Sequence, residues 1–178
     1  MDKPVETDLS DAELLARYRN GDLESFARFY RRHSRGLFFY VHSLSRDPVQ
    51  SEDVVQEAFA RLLDHELSSL RETLKSYLYT TARNVLFDEA RKARVREAKP
   101  PMLRPRDGVP PELAESVSHA LGKLPGDQRE IVVLKIYSEL TFSEIAEMTR
   151  LPEGTVMSRY RYAVDKLASI LREEHDEV

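Results

Sequence analysis

Residues 141–171 read TFSEIAEMTRLPEGTVMSRYRYAVDKLASIL, and this stretch decides the fold. Thr141-Phe-Ser-Glu144 has the spacing of a capping box, in which a hydroxyl and a glutamate three residues on satisfy each other's backbone N–H groups at a helix start. It opens the helix FSEIAEM. Pro152 stands where a first-turn proline is tolerated, and it starts a second helix running to about residue 172. Ile145, Ala146, Leu151, Val156, Tyr160 and Ala163 fall at inward positions, and the small Ala146 allows close approach of the two helices. Two helices, a short turn and one shared apolar seam describe a helix-turn-helix. With Val156, Tyr160, Ala163 and Leu167 turned inward, the second helix carries Glu153, Met157, Ser158, Arg161, Tyr162 and Asp165 on the face that would enter a major groove. An arginine there can bond guanine bidentately, for about 1–3 kcal/mol of base discrimination. A plain helical hairpin would have the same pattern, so these residues alone leave both readings open.

Working upstream, Pro125-Gly126 makes a turn, Asp127 with Glu130 opens DQREIVVLKIYSE, and a further helix fills 112–123. Before it, five of the nine prolines crowd into KPPMLRPRDGVPP, with neither helical period nor strand alternation. That composition reads as an extended linker. The expected division is 1–97, a linker at 98–111, and 112–178. In the first part, Ser10-Asp-Ala-Glu13 is a second capping box, with Leu9 and Leu14 placed for a hydrophobic staple. Asn20-Gly21 breaks the chain and Asp22 can cap ESFARFYRRHSRGLFFYVHSL. After Asp47-Pro48, Ser51 is expected to cap SEDVVQEAFARLLDH, in which Val54, Val55, Ala58, Phe59, Leu62 and Leu63 form one buried stripe. A long helix near 72–97 follows. The fold class is therefore all-α: two small helical domains joined by a flexible linker, the second a helix-turn-helix.

Composition limits the function. The 178 residues contain no cysteine, so disulfides, thiolate metal sites and cysteine nucleophiles are excluded. The five histidines are scattered without ligand spacing, so no metal site is expected. No apolar run approaches the roughly 20 residues that cross a bilayer, and the acidic start MDKPVETDLSDAE has no apolar signal stretch. A cytoplasmic protein without membrane insertion is expected. Net charge is −4, yet residues 91–106 hold seven Lys/Arg and one acid. Such a chain can bind DNA weakly alone and strongly inside a larger complex. No phosphate-binding glycine loop or nucleophile motif is present, and the carboxylates lie on helix faces with no pocket to shift them. Neither an enzyme nor a cofactor is expected.

Leu124-Pro-Gly-Asp-Gln-Arg-Glu130, Ser143-Glu-Ile-Ala146 and Pro152-Glu-Gly-Thr-Val-Met-Ser-Arg159, in this order, resemble the C-terminal domain of extracytoplasmic-function sigma factors. Asp53-Val-Val-Gln-Glu-Ala-Phe59 is similar to that family's D-x-x-Q-E-x-F helix. Tyr77-Leu78, Ala82-Arg-Asn84, Asp88, Arg91 and Arg94 resemble its W-L-x-x-I-A-R-N-x-x-x-D-x-x-R-x-x-R run. The resemblance covers about 10–172. It implies a subunit that binds core RNA polymerase through Asp53, Gln56, Glu57 and Arg61. It also implies contact with the promoter −10 element through Asn84, Asp88, Arg91 and Arg94, and with the −35 element through Met157, Ser158, Arg161 and Tyr162. The loop near 65–72 would pocket a base turned out of the stack, at a cost of a few kcal/mol. The basic linker would pass near the polymerase's RNA exit path. An anti-sigma partner is implied too, as is a monomer when free.

Three departures from the family pattern stand out. Tyr77 replaces a tryptophan and keeps an aromatic anchor. Arg150 takes a turn position usually given to glycine, where positive φ costs another residue about 1 kcal/mol or more, so a slightly remodelled turn is expected. Met157 and Tyr162 stand where relatives place basic residues, which implies fewer released counterions and a shallower salt dependence. Two other readings remain: a stand-alone helix-turn-helix regulator, which would dimerise on a palindromic operator, and a sigma-like module that only sequesters a protein partner.

Overall fold

The computed structural model describes residues 9–65, 73–92 and 111–176, except for the side chains at 89–92, 111–116 and 174–176. All regular structure among them is helical: α1 (Asp11–Arg19), α2 (Leu23–Ser45), α3 (Pro48–Asp64), α4 (Leu74–Lys92), α5 (Pro111–Gly122), α6 (Gly126–Ile136), α7 (Phe142–Thr149) and α8 (Glu153–Asp176). No helix among the described residues is long and apolar enough to cross a membrane.

The local signals act as expected at most helix starts. Ser10 and Glu13 form the reciprocal capping box of α1, and Leu9 and Leu14 are both buried beside it. Asp22 accepts from the Ser25 N–H at 3.2 Å and caps α2. The start of α3 differs from expectation. Asp47, not Ser51, is its cap, accepting from the N–H groups of Val49 (2.9 Å) and Gln50 (3.1 Å). Pro48 explains the shift, because its fixed φ suits the first helical position and its missing N–H would have no partner there. Ser51 lies one turn inside, fully buried, with its hydroxyl donating back to the Asp47 carbonyl at 2.6 Å.

Helix α2 is the axis of the N-terminal half, with α1, α3 and α4 packed around it. Phe29, Leu37, Tyr40 and Val41 of α2 meet the stripe Val54, Val55, Ala58, Phe59 and Leu62 of α3 and Leu78, Ala82 and Leu86 of α4. Each large side chain fully buried there contributes about 1.5–3 kcal/mol. Gly36 permits the close approach of α2 to α4, since a Cβ at that position would stand 2.8 Å from the Tyr79 hydroxyl. In the C-terminal half α8 is the support, touching α5, α6 and α7, with Ile145, Met148, Val156 and Ala163 in the seam.

The two halves also pack on one another, α2 on α6 and α4 on α7. Phe39 stacks on Tyr137 with ring centroids 4.1 Å apart. Glu130, expected at the opening of α6, has a different role. Pro125 begins that helix with no side-chain cap, and the Glu130 carboxylate accepts from the Tyr40 hydroxyl (2.9 Å) and from Arg83 Nε (2.8 Å) across the seam. Arg129 beside it donates to the carbonyls of Leu121 (2.9 Å), Leu124 (2.8 Å), Gly122 (3.3 Å) and, on the other half, Ser43 (3.1 Å). Most of these carbonyls belong to the ends of α5 and α2, where no intrahelical donor exists. Burial drives the Tyr40 phenol well above its ordinary pKa, and the Glu130 charge adds to the effect.

Candidate nucleic-acid interface

The α7–α8 unit is built from its caps inward. Thr141 Oγ1 accepts from the Glu144 N–H at 3.2 Å while Glu144 Oε2 accepts from the Thr141 N–H at 2.8 Å. Partial burial pushes the Glu144 carboxyl upward, but hydrogen bonds from Thr141 and Thr73 outweigh it and hold the group below its usual range. The turn is not remodelled around Arg150. The arginine itself enters the left-handed region at φ 57° and ψ 37°, and Leu151 N–H closes on the Ala146 carbonyl at 3.1 Å. This is the geometry of a glycine-type helix ending carried by a residue with a Cβ, so about 1 kcal/mol of strain is held there.

That turn sets the outward face of α8. Val156 and Ala163 are buried, Tyr160 and Leu167 half-buried, while Glu153, Met157, Arg161, Tyr162 and Asp165 are exposed. Ser158 is half-buried, its hydroxyl donating to the Thr155 carbonyl at 3.0 Å. Met157 and Tyr162 are 49% and 61% exposed and flank Arg161 on this face. The Arg161 guanidinium lies 5.7 Å from the Tyr162 ring centroid. Arg159, adjacent in sequence, points instead at Asp127 of α6 (3.1 Å) and serves the fold.

On α3 the face opposite the buried stripe carries Asp53, Gln56, Glu57 and Arg61, all exposed, with Glu57 and Arg61 paired at 2.7 Å. On α4, Asn84 and Asp88 are exposed one turn apart. Arg91 is in the last turn of α4 with its side chain outside the described residues; Arg94, the loop 66–72 and the linker 98–110 also lie outside them. Two α4 side chains not singled out from the sequence join this surface. Phe87 is 38% exposed, and Arg83, lying 4.7 Å above its ring, is the guanidinium held by Glu130. The quoted Ala82-Arg-Asn84 run contained Arg83, but nothing local distinguished it from a solvated arginine.

Arg19 at the end of α1 donates to the His65 carbonyl. The His65 ring meets the Tyr77 ring edge-on at 4.9 Å, joining the end of α3 to the first turn of α4. Among the described residues no cluster of His, Asp and Glu could hold a metal ion.

Residues 29–96 match the sigma-70 region 2 family and residues 114–167 the sigma-70 region 4 family. The chain is 31% identical over 154 residues to the ECF RNA polymerase sigma factor SigL of Mycobacterium tuberculosis, covering 81% of this chain and 87% of that protein. It is 34% identical over 173 residues to SigM of the same organism, covering 91% and 85%. Among solved structures, the sigma factor RpoE in complex with the anti-sigma factor NepR from Bartonella quintana superposes with a TM-score of 0.68 at 25% identity, over 84% of this chain and 98% of that one. CnrH in complex with the cytosolic domain of CnrY gives 0.64 at 23% identity, over 92% and 97%.

Proposed function

We propose, from the premise that this chain belongs to the extracytoplasmic-function sigma factors of the sigma-70 family, that three exposed helix faces share the work of initiation. The chain directs promoter recognition by RNA polymerase and is not an enzyme. In the proposed division of labour, residues 1–97 bind core polymerase and the −10 element, 98–111 form the tether, and 112–178 read the −35 element. Asp53, Gln56, Glu57 and Arg61 of α3 meet polymerase. Asn84, Asp88, Arg91 and Arg94 line the −10 contact, and the segment 65–72 receives an unstacked base. Met157, Ser158, Arg161 and Tyr162 read the −35 duplex, with Arg161 bonding a base edge and the two apolar side chains suited to thymine methyl groups. Each domain alone binds weakly, and linking them raises the effective concentration of the second contact. The free chain is a cytoplasmic monomer, and its silencing partner is an anti-sigma protein. Support for that partner comes from the sigma factor RpoE, whose solved form is its complex with the anti-sigma factor NepR.

The observation that carries the reading is that Asn84 and Asp88 on α4, and Met157, Arg161 and Tyr162 on α8, are all exposed on helix faces that lie within the segments matched to regions 2 and 4. Run-off transcription with purified core polymerase on a genomic library tests it. Start sites sharing two dissimilar elements at fixed spacing are expected. Arg161→Ala should change base preference in the upstream element while core binding stays intact. No stimulated start site, beside an active polymerase control, would overturn the proposal.

A further inference from the structure

Glu130 is a carboxylate only 7% exposed, and the two partners at its Oε1 atom both come from the other half of the chain. A buried charge persists only where well-oriented donors replace its lost water. Here those donors are the Tyr40 hydroxyl of α2 and Arg83 Nε of α4, so the cost of burying the charge is offset only while the halves stay together. Arg83 is next in sequence to the exposed Asn84 and lies over the exposed Phe87 ring. A guanidinium there has the chemistry of a phosphate ligand. An acidic oxygen of the other domain already holds it, 2.8 Å away. Across the surrounding seam Phe39 stacks on Tyr137, Arg129 donates to the Ser43 carbonyl, and Thr73 donates to Glu144 at 3.1 Å. Relative motion is the default between domains of one chain, unless a large hydrophobic interface holds them.

We propose that Glu130 is an internal latch: the free chain rests closed, with the Glu130 carboxylate on Arg83 in the place of a DNA phosphate, and a promoter strand on α4 competes with closure. The competition, though not the closure, rests on the reading of α4 as the −10 surface. Opening frees Arg83 at the moment the two DNA-reading faces must separate. Binding of nucleic acid and release of the latch thereby become one equilibrium, with an effect on each that is reciprocal.

The absence of cysteine makes the test direct. Ala60→Cys on α3 and Ser169→Cys on α8, both exposed, take spin labels at two sites only, and electron–electron distances are measured on the full chain without polymerase or DNA. The expected result is a short, narrow distribution for the parent. Glu130→Gln, which keeps shape and loses charge, should move population to longer distances, changing the closed-to-open ratio about tenfold or more, the scale of one lost charge-assisted hydrogen bond. Arg83→Gln approaches the pair from its more accessible side and must open the chain likewise. It also decides the matter if Glu130→Gln loses helicity. A parent already broad and long, or a distribution that Arg83→Gln leaves unchanged, would overturn the latch. A mixed-sequence single-stranded oligonucleotide followed by anisotropy tests the competition. It should bind Glu130→Gln several-fold more tightly than the parent and open the parent's distances. Equal affinity for both would overturn the competition. No binding by either would instead count against the −10 reading, while the distances still judge the latch.

Discussion

Replacing Arg129 by methionine removes a guanidinium that is 6% exposed and takes a donor from four carbonyls, of which Leu121 alone keeps a backbone N–H, that of Leu124 at 3.2 Å. Methionine keeps most of the apolar stem, so the change is chiefly electrostatic. A hydrogen bond to a charged group contributes about 1.5–3 kcal/mol net, and a dry carbonyl left unsatisfied costs about 1–3 kcal/mol. Against this, the variant no longer has to desolvate a cation, and some carbonyls near the α5–α6 turn recover water. Balancing these gives a loss of about 3–5 kcal/mol, the scale on which buried charged networks fail when one member is removed. With a urea slope of about 1–3 kcal/mol per molar, the midpoint should fall by roughly 2 M. Arg129→Lys should recover only part, because one ammonium cannot span carbonyls contributed by two helices. Urea titration followed by far-UV circular dichroism measures both. An Arg129→Met variant within about 1 kcal/mol of the parent would refute the reasoning, since the carbonyls would then have to find water as easily as they find arginine.

Arg150→Gly should raise stability by up to about 1 kcal/mol, because glycine takes φ 57° without strain; an unchanged or lowered melting temperature would contradict this. Burial favours the neutral form of Asp11, but hydrogen bonds and charge from His33 (2.7 Å) and Arg32 (2.7 Å) outweigh it and hold its pKa below 3.8. Its contribution is therefore complete above the ordinary carboxylate value and is lost as pH falls through the folded one. Asp11→Asn should be less stable than the parent at neutral pH, with the gap in urea midpoint closing in acid. Gln56→Ala, on an exposed face, should leave the melting temperature almost unchanged while weakening capture of core polymerase, as measured by competition with a second sigma factor. Arg161→Ala should relax base preference at one position of the −35 duplex while leaving the slope of log affinity against log salt nearly unchanged, because a base-edge contact releases few counterions; a slope reduced by about one with equal loss at every sequence would show that Arg161 holds a phosphate instead.

The signals legible in the sequence are mostly local. Ser10 with Glu13 and Thr141 with Glu144 act at short range, and both boxes form as their spacing predicts. The stripes of α3 and α8 likewise follow from the helical period, which is why the exposed sets Asp53, Gln56, Glu57, Arg61 and Met157, Arg161, Tyr162 are outward. The misjudged cap of α3 shows the limit. Asp47 and Ser51 are both good capping types, and the proline between them decided the matter. Glu130 was out of reach for another reason. Its partners lie 90 and 47 positions away, and no periodicity encodes which distant arginine a carboxylate will find. One signal was available: adjacent opposite charges at 129–130 ahead of the run IVVL on a helix buried on several sides, which implies buried charges seeking partners.

The grip of Arg19 on the His65 carbonyl, together with the His65–Tyr77 ring contact, clasps the end of α1, the end of α3 and the first turn of α4 into one corner. The three helices packed around α2 thus meet at a common joint, and a change at His65 or Tyr77 would be felt in how α4 is set against its neighbours.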